Sequence, residues 1–489
     1  MASIRKLFSP RDMTEGAPWK RILEFAVPML IGNVAQQLYN TADSIIVGRY
    51  VGDNALAAVG NAGPIINLLL ALFVGIATGA GILVSQAFGA KDRARLSEVI
   101  GTCITLTFLA SLVVMGLGLL TTNPLLLLLD TPESIFAWSA DYLNIIYIGA
   151  IGFFFYNILS GVLRGLGDSL SALVFLIAAA GMNIVLDLWF VAGLGMGVAG
   201  AAWATIISQA ISAVLCLLKM LRMKAVFDLN TKLLRPKKKL VGEIFKLGIP
   251  SGLTQAIFST AMLVVQALVN SFGETVIACN VIVMRVDGFA MMPNFSFGMA
   301  MTTFAAQNVG ARRLDRIHKG TRQGTLMAVG IATALTLIIL LFGKNLMAIF
   351  TDTTSLVDLS YQFMTILAAG YIAMAVTQCL SGVMRGAGDT VSPMWISLVT
   401  TIVIRVPLAY LLAYLTRTEE YPKGQFICLP ISLLASWVMG AVINFIVFRV
   451  GGWRKKCLAR IKAEDEAKAI ASAEAVDDAG NMDAPLPQA

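Results

Sequence analysis

The sequence predicts an all-α, polytopic membrane protein of twelve transmembrane helices in two six-helix lobes related by a pseudo-two-fold axis along the membrane normal. Three observations carry that prediction. The 489 residues are 57% hydrophobic and only 13% charged, with a mean hydropathy of +0.78, more apolar than a soluble surface can be. Twelve apolar segments reach or exceed the about 20 residues needed to cross a bilayer as a helix. The chain also repeats itself, its second half following the first at an offset of 221 to 222 residues.

The expected spans are 24–48, 57–84, 98–120, 139–163, 170–192, 198–221, 243–271, 277–303, 322–343, 359–383, 391–415 and 426–448. The first has no short apolar region with a small-residue cleavage site behind its basic flank of Arg5, Lys6, Arg11, Lys20 and Arg21, so it is read as a retained helix and not a leader. Pro28 in span one and Pro250 in span seven occupy matching places, each removing a helix hydrogen bond and permitting a bend. Gln86-Ala-Phe-Gly89-Ala90 closes span two and recurs as Gln307-Asn-Val-Gly310-Ala311 after span eight. Between spans four and five, Ser160-Gly-Val-Leu-Arg164-Gly-Leu-Gly167-Asp168 recurs between spans ten and eleven as Ser381-Gly-Val-Met-Arg385-Gly-Ala-Gly388-Asp389, seven identities in nine positions. Glycine there permits a tight reversal, with Arg and Asp expected to satisfy backbone groups or each other, a structural turn in preference to direct substrate contact.

The expected organisation is an N-terminal lobe over 1–221 (helices 1–6), a basic cytosolic linker over 222–242, a C-terminal lobe over 243–450 (helices 7–12) and a cytosolic tail over 451–489 that is expected to be disordered. Alternate loops hold 31 of the 37 Lys and Arg, while the opposite loops hold only Arg49, Lys344, Arg417 and Lys423. This positive-inside bias places both termini in the cytosol, in an inner or plasma membrane. The net charge of +8 therefore marks topology and membrane lipid contact, not nucleic-acid binding. Six scattered cysteines (Cys103, Cys216, Cys279, Cys379, Cys428, Cys457) read as core residues, and His318 as a solvated residue of a basic loop.

Two similar lobes imply a cleft between them that rocking exposes alternately to each side, the architecture of a carrier. A charge inside a span costs about 2.5–3.5 kcal/mol on insertion scales, so each one calls for a partner, a wet cavity or a function. Asp43 and Asp187 sit at matching depth, Asn183 lies one turn before Asp187, and Thr205 enters span six from the same side. Two carboxylates in a poorly solvated pocket repel and lose hydration, which suits them to carrying a proton. The same oxygens suit a hard cation such as sodium. The repeat offset maps Asp187 to Leu408 and Asn183 to Ile404, so the second lobe has no such set, which favours a function over a packing role. In the second lobe, Arg285, Asp287 and Arg405 are the buried charges expected, with Met291 and Met292 beside them, as an internal ion pair, a gate or a substrate contact. No His-rich, Cys-based or clustered carboxylate motif at a membrane face suggests an enzyme, and no filter element suggests a passive channel.

Pro28, Ala42-Asp43-Ser44-Ile45-Ile46-Val47-Gly48, Gln86-Ala-Phe-Gly89-Ala90, Asn183-Ile-Val-Leu-Asp187 and Gly197-Val-Ala-Gly200-Ala-Ala-Trp-Ala-Thr205 fall in order on the right spans. With these marks the chain resembles the multidrug and toxic compound extrusion (MATE) transporters over about residues 15–450. It departs from the branch with working carboxylates on spans seven and ten, and is more similar to the bacterial DinF-like or MepA-like branches. The resemblance implies that Asp43, Asn183, Asp187 and Thr205 form the first-lobe cation site, which would hold sodium if the protein is sodium-coupled, and that Pro28 is a bending proline. It further implies a monomer, without cofactor, that exports lipophilic and often cationic compounds in exchange for inward Na+ or H+. A flippase for lipid-linked precursors is the alternative on the same fold, and would need a basic central cavity.

Overall fold

The computed structural model describes residues 9–459 and 461–462, and among these there is no strand. The first half comprises α1 (Pro18–Tyr50), α2 (Asp53–Gly89), α3 (Arg93–Leu128), α4 (Glu133–Ile148), α5 (Ala150–Gly165), α6 (Ser169–Asp187) and α7 (Gly197–Leu221). The second comprises α8 (Lys238–Ser271), α9 (Glu274–Gly310), α10 (Leu314–Ala348), α11 (Thr354–Ala368), α12 (Gly370–Gly386), α13 (Val391–Leu398), α14 (Val406–Leu415) and α15 (Cys428–Val450). Among the described residues, eight segments are long and apolar enough to cross a bilayer as single helices, and two more spans are bent pairs. Helices α1 and α2, of 33 and 37 residues, have the length to complete the expected twelve.

The two bent spans occupy the same place in each half. α4 meets α5 at 54° and α11 meets α12 at 44°. A side chain at Gly149 would collide with Ile206, and one at Gly370 with the Trp437 ring, so in both halves a glycine stands where the kinked span presses on the last span of its own lobe. Two other spans widen into π-helical turns, α6 through Leu188–Gly193 and α13 into α14 through Val399–Arg405. Such turns often mark functional positions.

The repeated turns cap helices as expected, but without their arginines. Asp168 accepts from the Ser171 backbone N–H at 3.0 Å and the Ser171 hydroxyl at 2.6 Å, while Asp389 accepts from the same groups of Ser392 at 3.2 and 2.7 Å. Gly167 and Gly388 sit at φ +80° and +92°, a backbone that side chains resist. Lysines pair with the caps, Lys219 with Asp168 at 3.8 Å and Lys456 with Asp389 at 3.0 Å.

Two expected boundaries move. α8 begins at Lys238, so the end of the basic run is its first turn. The expected disordered tail begins as ordered structure: residues 452–459 are helical, Trp453 is 1% exposed and stacks on Phe448, and the His318 ring packs edge-on against Phe448 and tilted against Trp453. The tail beyond Lys462 and the basic residues Arg5 and Lys6 lie outside the described residues.

The halves meet through backbone. Side chains at Gly75 or Gly79 of α2 would strike the backbone of α8 at Gly248 and Gly252, and Gly89 and Gly310 face the carbonyls of Gln307 and Gln86 across the α2–α9 crossing. Small residues let membrane helices approach this closely.

Candidate functional site

α1, α6 and α7 bring Asp43, Asn183, Asp187 and Thr205 together in the first half. Asn183 and Asp187 share a face of α6, and both are 0% exposed. With its amide nitrogen turned towards Asp187, Asn183 donates to Asp187 Oδ2 at 2.7 Å and accepts at 3.3 Å from the Thr205 backbone N–H. The Asp43 and Asp187 carboxyls lie close enough to interact directly. Their other oxygens, Oδ1 of each, are buried without a hydrogen-bond partner. Buried unsatisfied carboxylate oxygens are costly, and here two of them converge from different helices. Asp187 immediately precedes the π-helical turn.

Two tyrosines complete the cluster. Tyr39, one turn before Asp43, lies beside the Thr205 side chain, and Tyr142 of α4 lies close enough to both carboxylates to feel their charge. Nothing in the sequence separates these aromatics from ordinary packing residues. Their only signal is the spacing of Tyr39 to Asp43.

A second feature is a cavity of about 620 Å³ between the halves, lined from α2, α5, α8, α9, α12, the α13–α14 span and α15. That size suits a drug-like molecule. Met284, Met291, Phe258, Phe295 and Trp437 form much of its apolar wall. Asp287 and Arg405 both line it and attract each other electrostatically. Tyr371 donates its hydroxyl proton to Asp287 Oδ1 at 2.9 Å, while Arg405 Nε is buried without a partner. Arg285 is exposed and does not line the cavity, and Met292 is packed at 7% exposure behind it. Two arginines of the repeated turns do line it: Arg164 and Arg385 leave their aspartates and turn inwards.

Towards the basic loops the cavity is closed by a reciprocal pair of hydrogen bonds. Gln86 of the first half donates to the Gly386 carbonyl at 3.0 Å, and Gln307 of the second donates to the Gly165 carbonyl at 3.1 Å. Both repeated motifs thus serve one contact, each glutamine reaching the arginine-bearing turn of the other half. The N-terminal segment lies over this closure: the Met13 N–H donates to Gln307 Oε1 at 2.8 Å, Arg11 N–H to the Leu166 carbonyl at 3.2 Å, and Arg313 to the Thr14 carbonyl at 2.7 Å.

α1 connects the two features. Its first turns, with Ile22, Phe25, Ala26 and Met29, pack in the second-half core, whereas Ile46 and Val47 belong to a first-half core. Pro28 lies within the first stretch, and Asn33 donates to Ser296 of α9 at 3.0 Å.

Known proteins share this architecture. The MatE family model matches residues 28–189 and 250–411, two stretches in register with the repeat. The probable multidrug resistance protein YoeA of Bacillus subtilis is 30% identical over 451 residues, 91% of this chain and 96% of that protein. The multidrug export protein MepA of Staphylococcus aureus is 23% identical over 76% of this chain and 82% of its own length. Among solved structures, an outward-facing multidrug resistance MATE transporter superposes with a TM-score of 0.84 at 24% identity, covering 91% of this chain and 98% of that one. With both halves matched and a relative of this similarity spanning nearly its full length, the chain belongs to the MatE family of multidrug efflux transporters.

Proposed function

We propose that the protein is a secondary exporter that exchanges lipophilic organic compounds for inward Na+ or H+ by alternating access in the bacterial plasma membrane, with both termini cytosolic. The convergence of Asp43 and Asp187, each with one unpartnered buried oxygen, is the observation that carries this reading. Carboxylate oxygens joined by an amide and a hydroxyl are the donors a hard cation takes, and the same pair sharing a proton serves proton coupling equally well. One elementary charge crossing 100 mV contributes about 2.3 kcal/mol, enough for roughly fifty-fold accumulation at full coupling.

The coupling site lies within the first half and the cavity between the halves, so coupling must travel through shared structure. α1 carries Asp43 in its far part and packs its first turns into the second-half core. A cation drawing Asp43 towards Asp187 shifts the far part of α1, Pro28 allows its near part to respond by bending, and the near part packs in the core of the second half.

The test uses purified protein in liposomes, with sodium and proton gradients imposed separately and transport followed with a fluorescent lipophilic compound. One gradient should drive wild-type transport, and folded Asp43→Asn and Asp187→Asn should each lose it. Normal gradient-driven export by both variants would move the coupling site elsewhere, to Asp287 and Arg405 first.

A further inference from the structure

The cavity's charges do not match a cationic cargo. Among the described residues its lining holds three arginines and one acid: Arg164, Arg385, Arg405 and Asp287. Arg405 has Asp287 for a countercharge. Arg164 donates only to the Ser160 hydroxyl, at 3.2 Å, and no protein group hydrogen-bonds or pairs with the Arg385 guanidinium among the described residues. Both residues sit at the last turns of α5 and α12 and line the end of the cavity nearest the repeated turns. Glycines at 161 and 165 leave the floor beside Arg164 free of side chains. A guanidinium taken from bulk water without a carboxylate is costly, and the aspartates four residues on are spent on capping helices. The turn therefore gives no structural reason for both arginines to face inwards.

We propose that this cavity takes amphiphiles whose polar end is anionic, a carboxylate or a phosphate, with that group on Arg385 and the apolar body along the methionine and aromatic wall. Guanidinium is the side chain best matched to both anions, through paired N–H donors. The inference rests on the cavity being the substrate chamber, and departs from the cationic class that the family resemblance implies. The anion has two sources, a free amphiphile or a lipid headgroup.

Binding in detergent, without any gradient, separates this inference from the coupling site. The probes are dansyl-labelled undecanoate and a dansyl-labelled trimethylammonium compound of equal chain length. Wild type should bind the carboxylate about tenfold more tightly than the ammonium probe, the effect of one charge-assisted contact. Arg385→Gln should remove that preference and Arg385→Lys restore part of it, with the unfolding temperature of each variant recorded. Equal or tighter binding of the ammonium probe, or a folded Arg385→Gln that keeps the preference, would overturn the proposal. In liposomes, Arg385-dependent scrambling of NBD-labelled phosphatidylglycerol, read by dithionite, assigns the anion to a lipid. Arg385-dependent movement of the undecanoate alone assigns it to a free amphiphile, and independence of Arg385 in both arms counts against the site.

Discussion

At the residue scale, Asn183 decides how well the carboxylate pair is held. Its amide ties Asp187 to the backbone of α7, so Asn183→Ala leaves a fully buried carboxylate without its neutral partner, a loss of about 1–3 kcal/mol. The coupling-ion concentration for half-maximal transport should rise about tenfold, with substrate binding in detergent unchanged. If binding falls while ion dependence stays put, Asn183 belongs to the packing of the lobe and not to the ion site. Asp43, Asn183 and Asp187 are legible in the sequence because a polar group in an apolar span stands out by its cost. Tyr39 and Tyr142 are not, because an aromatic ring in the same setting packs as readily as it hydrogen-bonds. Arg164 and Arg385 hide for another reason. They share a motif with glycines and aspartates that do build the turn, and a repeat cannot say which of its members face the fold and which the cavity.

At the scale of elements, hydropathy and the repeat place every expected span on a helix, since crossing lipid requires satisfying the backbone within the segment. They do not reveal that spans four and ten are bent, because glycine is common in membrane helices and its role depends on what it presses against. That role can be tested by contrast. A leucine at Gly149 meets Ile206 of α7, whereas Gly181 has open space. Gly149→Leu should destabilise the protein by about 1–3 kcal/mol, as overpacking does, and lower its thermal transition in detergent, while Gly181→Leu should leave the transition within error. Equal transitions would mean that α4 and α7 part easily, and that the bend is not fixed by this contact.

At the scale of the whole molecule, the reciprocal bonds of Gln86 and Gln307 and the backbone crossing at Gly89 and Gly310 hold the halves shut at the basic end. The exchange proposed above requires that this closure open and that its free energy be small, because a gradient of a few kcal/mol would have to reverse it. Two hydrogen bonds of about 1 kcal/mol each fit that requirement. Removing both, in Gln86→Ala with Gln307→Ala, should shift the population towards the form open at the basic end by roughly thirty-fold. A cysteine at Thr302, which lines the cavity, reports the shift, because all six native cysteines are buried. Its labelling by an impermeant maleimide should quicken in the double variant when the reagent is added on the basic side, and slow when it is added opposite. The single variants should fall between, with Gln307→Ala nearer the double variant because Gln307 also accepts from the Met13 N–H. An unchanged rate in the double variant would assign the closure to the glycine crossing and the Met13 segment instead. Those contacts involve backbone packing, so they would release all at once and make the opening a single cooperative step.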